Sequence, residues 1–412
     1  MIARPGLSSP PTEVRRAALA AAVGVAFLLV SWGLLHAGFY ERNQIVDTPT
    51  YQRHGEAILD GGVPYRDFLV EYPPGALPVF VIPSLAGEGD YRSVFEWLMF
   101  GCGAAAIFFV ALALSAAGAT EDRLYGMTAL VGLAPLALGS LVLTRYDLWP
   151  AALTVAAVAA LVSDRVRLGF GALGLAVAAK LYPAVLIPLA LVYVGRRHGG
   201  RTAWTGFAVL VAVLAAAFVP FAVVAPDGLR ESLERQVSRP LQIESLGAAL
   251  LLAAHLIDGT YVPSIVSSFG SQNLDGSLPD AVATVLVALQ VAAIVGVWLA
   301  FAAGRAGRDS FVAGSAAAVA AAVAFGKVLS PQFLVWLVPL VPLVAGRAGV
   351  LASGLLVSTF VVTQAWFPYR YWDVVALRPA GWLVLARDLL LVALFAVLAG
   401  AIRRRRGSLR SE

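Results

Sequence analysis

The sequence predicts an all-α, polytopic transmembrane helix bundle of roughly 10–13 spans. Of its 412 residues 59% are hydrophobic and only 13% are charged, whereas about a quarter of an ordinary soluble domain is charged. The mean hydropathy is +0.81. Apolar runs recur from residue 17 to residue 402, many near the roughly 20 helical residues that cross a hydrocarbon core of about 30 Å. No polar interval between them is long enough for a separate domain, so residues 1–402 read as one membrane domain and 403–412 as a basic tail.

Taken in order, the runs cover 17–35, 94–117, 124–143, 148–162, 168–194, 203–224, 281–303, 311–325, 333–345, 350–366 and 382–402. Arg15 and Arg16 precede the first, which lacks a small-residue cleavage site and reads as a retained span. The 168–194 run is interrupted by Lys180 and Pro183, too short for two full spans and too long for one. A bent pair of half-helices or a short hairpin is expected, because polar breaks at membrane depth line a cavity. With a hairpin there, the arginines at 15/16, 165/167, 196/197/201, 305/308, 347 and 403–406 all fall on one side. The positive-inside rule makes that side cytoplasmic. The tail arginines then anchor the last span near anionic lipid. Two long loops, 39–92 and 226–280, face outward, and each contains an apolar piece too short to span, 74–86 and 246–257. Both read as interfacial helices. Ala-rich helices permit close helix packing.

Several function classes are excluded or unsupported. The net charge of +5 comes from arginines at helix ends rather than on a basic face, so nucleic acid is not expected as a partner. Cys102 is the only cysteine, which removes intrachain disulfides and thiolate clusters. No His, Cys and carboxylate set has zinc spacing and no Gly-rich loop has the Walker pattern, so neither a metal nor a nucleotide cofactor is expected. A transporter or flippase is the rival reading, but the internal symmetry common in carriers is not visible.

The exceptions to the apolar pattern carry the functional argument. Of 30 basic residues only Lys180 and Lys327 are lysine. The first outer loop packs acids, aromatics and turn residues densely: Tyr40-Glu41-Arg42-Asn43-Gln44-Ile45-Val46-Asp47, then Tyr51, then Gly62-Val63-Pro64-Tyr65 and Glu71-Tyr72-Pro73-Pro74-Gly75. Further along stand Thr144-Arg145-Tyr146-Asp147-Leu148-Trp149-Pro150, Ala179-Lys180-Leu181-Tyr182-Pro183 and Gly326-Lys327-Val328-Leu329-Ser330-Pro331-Gln332. These motifs, in this order between matching spans from about Tyr40 to Trp366, resemble the GT-C class of membrane glycosyltransferases. Within that class the chain looks most like the polyprenyl-phosphate-sugar-dependent α-1,2-mannosyltransferases, which include phosphatidylinositol-mannoside mannosyltransferases and related arabinofuranosyltransferases. The resemblance implies transfer of a sugar, mannose first among candidates, from a polyprenyl-phosphate donor to a lipid or glycan hydroxyl on the outer face. It places the general base at Asp47, from which an inverting single displacement follows.

Such a reaction needs a carboxylate to deprotonate the acceptor and fixed cations to receive the departing phosphate. Asp47 could instead simply cap a helix ahead of Thr48-Pro49. Lys180, inside an apolar run, needs an anion or water, since an unpaired cation there costs roughly 2.5–3.5 kcal/mol. A lipid phosphate is the candidate anion, with snorkelling to the interface as the alternative. Lys327, Arg145 and His255 are further donor-phosphate candidates; snorkelling, a local Arg145–Asp147 pair and a polar interfacial anchor are their plainer roles. Tyr51, Glu71, Tyr72, Asp147 and Gln332 are candidates for sugar or acceptor contacts. Arg370, Asp373 and Arg378 among Trp366, Tyr369, Tyr371 and Trp372 read as an aromatic belt or a sugar-stacking surface.

Overall fold

The computed structural model describes residues 12–38, 40 and 44–403; the expected basic tail beyond Arg403 and residues 41–43 of the first motif lie outside them. The helices, in chain order, are α1 (Thr12–Leu35), α2 (Thr48–Leu59), α3 (Leu77–Ser84), α4 (Tyr91–Ala116), α5 (Glu121–Leu138) and α6 (Leu141–Thr144). There follow α7 (Leu148–Val162), α8 (Val166–Ala179), α9 (Ile187–His198), α10 (Gly200–Val224), α11 (Pro226–Ser238) and α12 (Leu246–Asp258). The last are α13 (Ser277–Ala303), α14 (Arg308–Ala324), α15 (Gly346–Gln364), α16 (Tyr371–Val375) and α17 (Gly381–Arg403). Among the described residues, six helices are long and apolar enough to cross a membrane: α1, α4, α10, α13, α15 and α17. The chain is therefore a multi-pass, all-α membrane protein, with shorter apolar helices packed among the long ones.

Close packing follows from small residues. A Cβ at Gly132 of α5 would lie 2.2 Å from the Gly24 carbonyl oxygen of α1, and Ser31 Oγ donates to the Gly132 carbonyl at 2.9 Å. Helix α14, rich in alanine, is buried on nearly every side from Phe311 to Ala324, as expected of a helix apolar all round.

Three differences from the sequence reading matter. The 333–345 run is not a helix but a chain of 3-10 turns, Pro331–Trp336 and Val341–Leu343; Pro331, Pro339 and Pro342 remove the backbone donors that a continuous helix needs. The second outer loop holds a three-stranded antiparallel sheet, order β1 (Leu241–Gln242), β3 (Ser271–Asp275), β2 (Ser264–Ser268). The 74–86 piece forms a 3-10 turn, Pro74–Ala76, and then α3, whose Leu77, Val79 and Phe80 are buried in the protein while Ile82, and Leu85 just after the helix, are exposed.

The break at Lys180 is a hairpin. Asp164, between α7 and α8, accepts from Arg197 at 2.5 Å and Arg308 at 2.8 Å and contacts His198 at 3.0 Å. The α7–α8, α9–α10 and α13–α14 turns therefore share one end of the bundle, and the chain reverses between α8 and α9. The exposed Asp164 carboxyl is held below its ordinary range, chiefly by its hydrogen bond to Arg197.

Helix length then sets the depth of the opposite end. At 1.5 Å per residue, the 15 residues of α7 and the 14 of α8 rise only about 22 Å and 21 Å. Both stop short of a roughly 30 Å hydrocarbon core. Asp147 and Lys180 cap this truncated pair as the N-cap of α7 and the C-cap of α8. The floor they form is recessed from the surface reached by longer neighbours such as α10, with 25 residues, and α13, with 27.

Gly75, in the Pro-Pro-Gly turn, seats the first outer loop on this floor. A Cβ there would stand 2.5 Å from the Ala178 carbonyl carbon of α8, and its own carbonyl accepts from Trp149 Nε1 at 3.0 Å. Gly75→Val is expected to lower stability by about 1–3 kcal/mol, the usual range for overpacking. Thermal unfolding in detergent checks this against Gly89→Ser, at a site open to solvent with no left-handed backbone.

Candidate active site

The α6–α7 connection brings two charges to the floor. Arg145 ends α6 in extended backbone, φ −123° and ψ 144°, and Asp147 opens α7 two residues later. They do not pair with each other; each takes a partner from a distant segment. Arg145 Nη1 meets Asp47 Oδ2 of the first outer loop, and its Nη2 donates to the Ile45 carbonyl at 3.1 Å. Asp147 Oδ1 receives Lys180 Nζ at 2.6 Å and Trp336 Nε1 at 2.6 Å. The anion met by Lys180 is thus first of all a protein carboxylate, in addition to any lipid phosphate. With three ammonium donors and 17% of its side chain exposed, Lys180 retains capacity for a second anion.

Asp47 occupies the N-cap position of α2, but its side chain makes no cap hydrogen bond. Its carboxylate instead pairs with Arg145 and accepts from Tyr51 Oη at 3.4 Å. The orientation follows from helix geometry, since residues 47 and 51 lie one turn apart on one face. Asp147 is buried, whereas 35% of the Asp47 side chain is exposed. Of the two floor carboxylates, Asp47 is the one a bound molecule can reach.

Aromatic side chains line the space between. Lys180 Nζ lies 4.7 Å from the centre of the Tyr146 ring, 5.1 Å from Trp336 and 5.4 Å from Phe333, within cation–π range. Trp336 is stacked between Tyr182, at 4.1 Å, and Phe333, at 4.2 Å. Tyr51 stacks on Phe80 at 4.5 Å and meets Tyr72 and Tyr146 edge-on, each at 5.6 Å. Tyr51 and Tyr146 are fully buried, so these rings brace the floor more than they present a face to solvent.

The other sequence candidates are placed differently. Glu71 ties the two outer loops together: its carboxylate takes Arg235 of α11 at 3.4 Å, and its carbonyl accepts from Gln236. The Tyr72 carbonyl accepts from Tyr65 Oη at 2.6 Å. Lys327 donates to the Val237 carbonyl at 2.8 Å, at the end of α11. Gln332 adjoins Phe333, and its Oε1 is buried without a hydrogen-bond partner. His255 Nδ1 is 2.8 Å from the Tyr261 carbonyl within the second loop; no contact joins it to the Asp47–Arg145 or Asp147–Lys180 pair. In the aromatic segment, Trp366 and Tyr371 are buried and Trp372 is exposed, while Arg378 pairs with Asp373 at 2.7 Å.

Sequence reasoning missed Trp336, Glu244 and the Arg387–Asp388 pair. Trp336 gave no signal, being one aromatic in an apolar run. Arg387 and Asp388 did give one: an adjacent cation and anion inside the last span. They are fully buried, with Arg387 Nε 2.6 Å from Asp388 Oδ1 and Arg387 Nη2 donating to the Glu244 carbonyl at 2.6 Å.

A small apolar cavity is lined by Val142, Leu148 and Val335, of which Leu148 and Val335 are chain neighbours of Asp147 and Trp336. A second cavity lined by Val338 continues it between α5 and α15, where Leu133, Leu356 and Val357 line the wall. Among the described residues, no group of three or more His, Cys, Asp or Glu side chains is arranged to hold a metal.

The buried Lys180–Asp147 pair sets a stability test. Lys180→Met strands a carboxylate that is 2% exposed, which is expected to cost roughly 3–5 kcal/mol. Adding Asp147→Leu should recover much of that loss. Thermal unfolding of both single variants and the double variant measures the coupling, and additive losses would show that the pair does not interact.

Residues 68–331 match the family model of glycosyltransferase family 87. No curated protein matches the chain.

Proposed function

As a chain that belongs to glycosyltransferase family 87, this membrane protein is a glycosyltransferase, and we propose that it moves a sugar, mannose in the first instance, from a polyprenyl-phosphate donor to a lipid or glycan hydroxyl. The observation that carries this reading is the recessed floor, with a reachable carboxylate beside two fixed cations. A donor whose phosphate sits at the membrane surface and whose chain lies in hydrocarbon can meet that floor without leaving the bilayer. The apolar cavity between α5 and α15, lined by Leu133, Leu356 and Val357, would seat part of the prenyl chain.

Asp47, open on one side and held by Arg145 on the other, takes the proton of the acceptor hydroxyl. The acceptor oxygen then attacks the anomeric carbon from the face opposite the phosphate, the bond from that carbon to the phosphate oxygen breaks, and the configuration inverts. Negative charge grows on the departing polyprenyl phosphate, where Lys180 and Arg145, already fixed by ion pairs, stabilise it without reorganising. Trp336 and Asp147 hold the ammonium group, while Phe333 offers a partly exposed ring near it. Lys327 closes the second outer loop through Val237, and Glu71 latches that loop to the first. The glycan or lipid acceptor enters between them. With the arginine-rich turns on the cytoplasmic side, the floor opens to the extracytoplasmic face of the cell membrane and the C-terminus stays inside. No metal or organic cofactor is needed for this displacement. The transporter reading is not favoured, because the family is one of glycosyltransferases.

Purified protein in lipid nanodiscs should release polyprenyl phosphate from polyprenyl-phosphate mannose when an acceptor is supplied. Asp47→Asn should lower turnover by roughly 10²–10⁴-fold, the typical contribution of a general base, while donor affinity changes little. Full activity in that variant removes Asp47 from the base role. Failure with a panel of polyprenyl-phosphate sugars, together with solute uptake into vesicles, would restore the transporter.

A further inference from the structure

Just past the end of α1 a second charged cluster stands apart from the floor. His36 Nδ1 lies 2.7 Å from the Trp32 carbonyl, and its Nε2 lies 2.8 Å from Glu96 Oε2 of α4. A carbonyl oxygen carries no hydrogen, so Nδ1 is a donor. Glu96 is buried, and its other carboxylate oxygen accepts from Arg92 Nε at 2.8 Å. A guanidinium at that distance favours the ionised carboxylate, so Nε2 donates as well. Both ring nitrogens then carry protons, and His36 is an imidazolium. Arg92 extends the cluster toward the site. Its Nη2 donates to Gln44 Oε1 at 3.0 Å, and Gln44 Nε2 donates to the Tyr40 carbonyl at 3.2 Å. Gln44 stands three residues before Asp47. The segment 44–47 is thus held by Arg92 at Gln44 and by Arg145 at Ile45 and Asp47. Of these holds, the one at Gln44 passes through a histidine, the side chain that changes charge near neutral pH.

We propose that His36 and Glu96 form a protonation-dependent clasp on this segment, through which Arg92 and Gln44 act as positioning residues for Asp47. Its effect on turnover rests on Asp47 being the general base; the clasp itself does not. With the imidazolium in place, both Glu96 oxygens are engaged and Arg92 is aimed at Gln44. Loss of one proton leaves a single N–H for two acceptors. If Nδ1 keeps it, the Nε2 lone pair faces the carboxylate; if Nε2 keeps it, the Nδ1 lone pair faces the Trp32 carbonyl. Either way a contact of 2.7 or 2.8 Å turns repulsive, and Glu96 is released to turn with Arg92. The charged groups that face His36 are Glu96 and Arg92, both from α4. From α5, which also packs on α1, the Leu136 carbonyl accepts from Tyr40 Oη at 2.8 Å. Burial by itself lowers the His36 imidazole, but its hydrogen bonds to Glu96 and the Trp32 carbonyl outweigh that and leave it above its ordinary value. The sign follows: a raised imidazole favours the clasped form fully below its ordinary value of about 6.5, and that contribution is lost as pH rises through the raised one.

Three measurements on the full chain in nanodiscs test this. In NMR spectra of histidine-labelled protein, the His36 signal, identified by its loss in His36→Gln, should titrate at a lower pH in Glu96→Gln than in the wild type. An unmoved midpoint overturns the proposal. Amide hydrogen exchange in the peptide covering residues 44–47, corrected for its intrinsic pH dependence, should accelerate as pH rises through the wild-type midpoint. In Gln44→Ala it should be fast on both sides of that midpoint. Neither readout needs a substrate. In turnover assays the wild-type kcat should fall by about fivefold over the same step, equivalent to one hydrogen bond of about 1 kcal/mol, with KM for the donor little changed. Gln44→Ala should show the lower kcat throughout, and a pH step that survives in that variant overturns the positioning role. If no donor is turned over although the His36 midpoint and the exchange of residues 44–47 move together, the transferase reading of Asp47 fails and the clasp stands.

Discussion

The buried pair between Lys180 and Asp147 is the contact on which the remaining site geometry depends. It joins the end of one short helix to the start of another, at a depth where an uncompensated charge of either sign is expensive. With a Lys180–Asp147 separation of 2.6 Å and a Trp336 donor on the same oxygen, three chain segments are pinned at one point. Arg145, two residues from Asp147, is thereby delivered to the first outer loop, where Asp47 meets it. The reachable carboxylate is thus positioned by a pair that no bound molecule need touch.

Helix truncation converts this arrangement into a membrane site. Two helices of 15 and 14 residues among longer neighbours leave a basin below the bilayer surface, and the polar breaks that end them become its floor. Irregular backbone at such depth is tolerated only where protein or water satisfies it. The 3-10 chain from Pro331 to Leu343 carries Trp336 to the floor and contributes Val338 and Pro342 to the wall of the apolar cavity.

Membership of glycosyltransferase family 87 fixes the reaction class. It leaves the division of labour among charges to the geometry. Lys180 and Arg145 are each committed in part to a carboxylate, and under the proposed function cations preset in this way stabilise the departing phosphate without reorganising.

Composition and the spacing of apolar runs determined the membrane bundle, because hydrocarbon forces backbone hydrogen bonding into helices wherever twenty or so apolar residues occur. The sequence also disclosed the break at Lys180, since an isolated charge in apolar surroundings stands out, and the residue set around Asp47 and Arg145, through motifs that resemble those of a known family. Only the tertiary structure decided the partners. Arg145 could have paired with Asp147 two residues away, yet extended backbone and distant segments gave them Asp47 and Lys180 instead. Trp336 was illegible because a hydrogen-bonding indole looks like any aromatic until its neighbours are known. The partner of Arg387 was hidden for a related reason: the Glu244 carbonyl it reaches lies in a distant segment, and such a contact leaves no periodicity along the sequence.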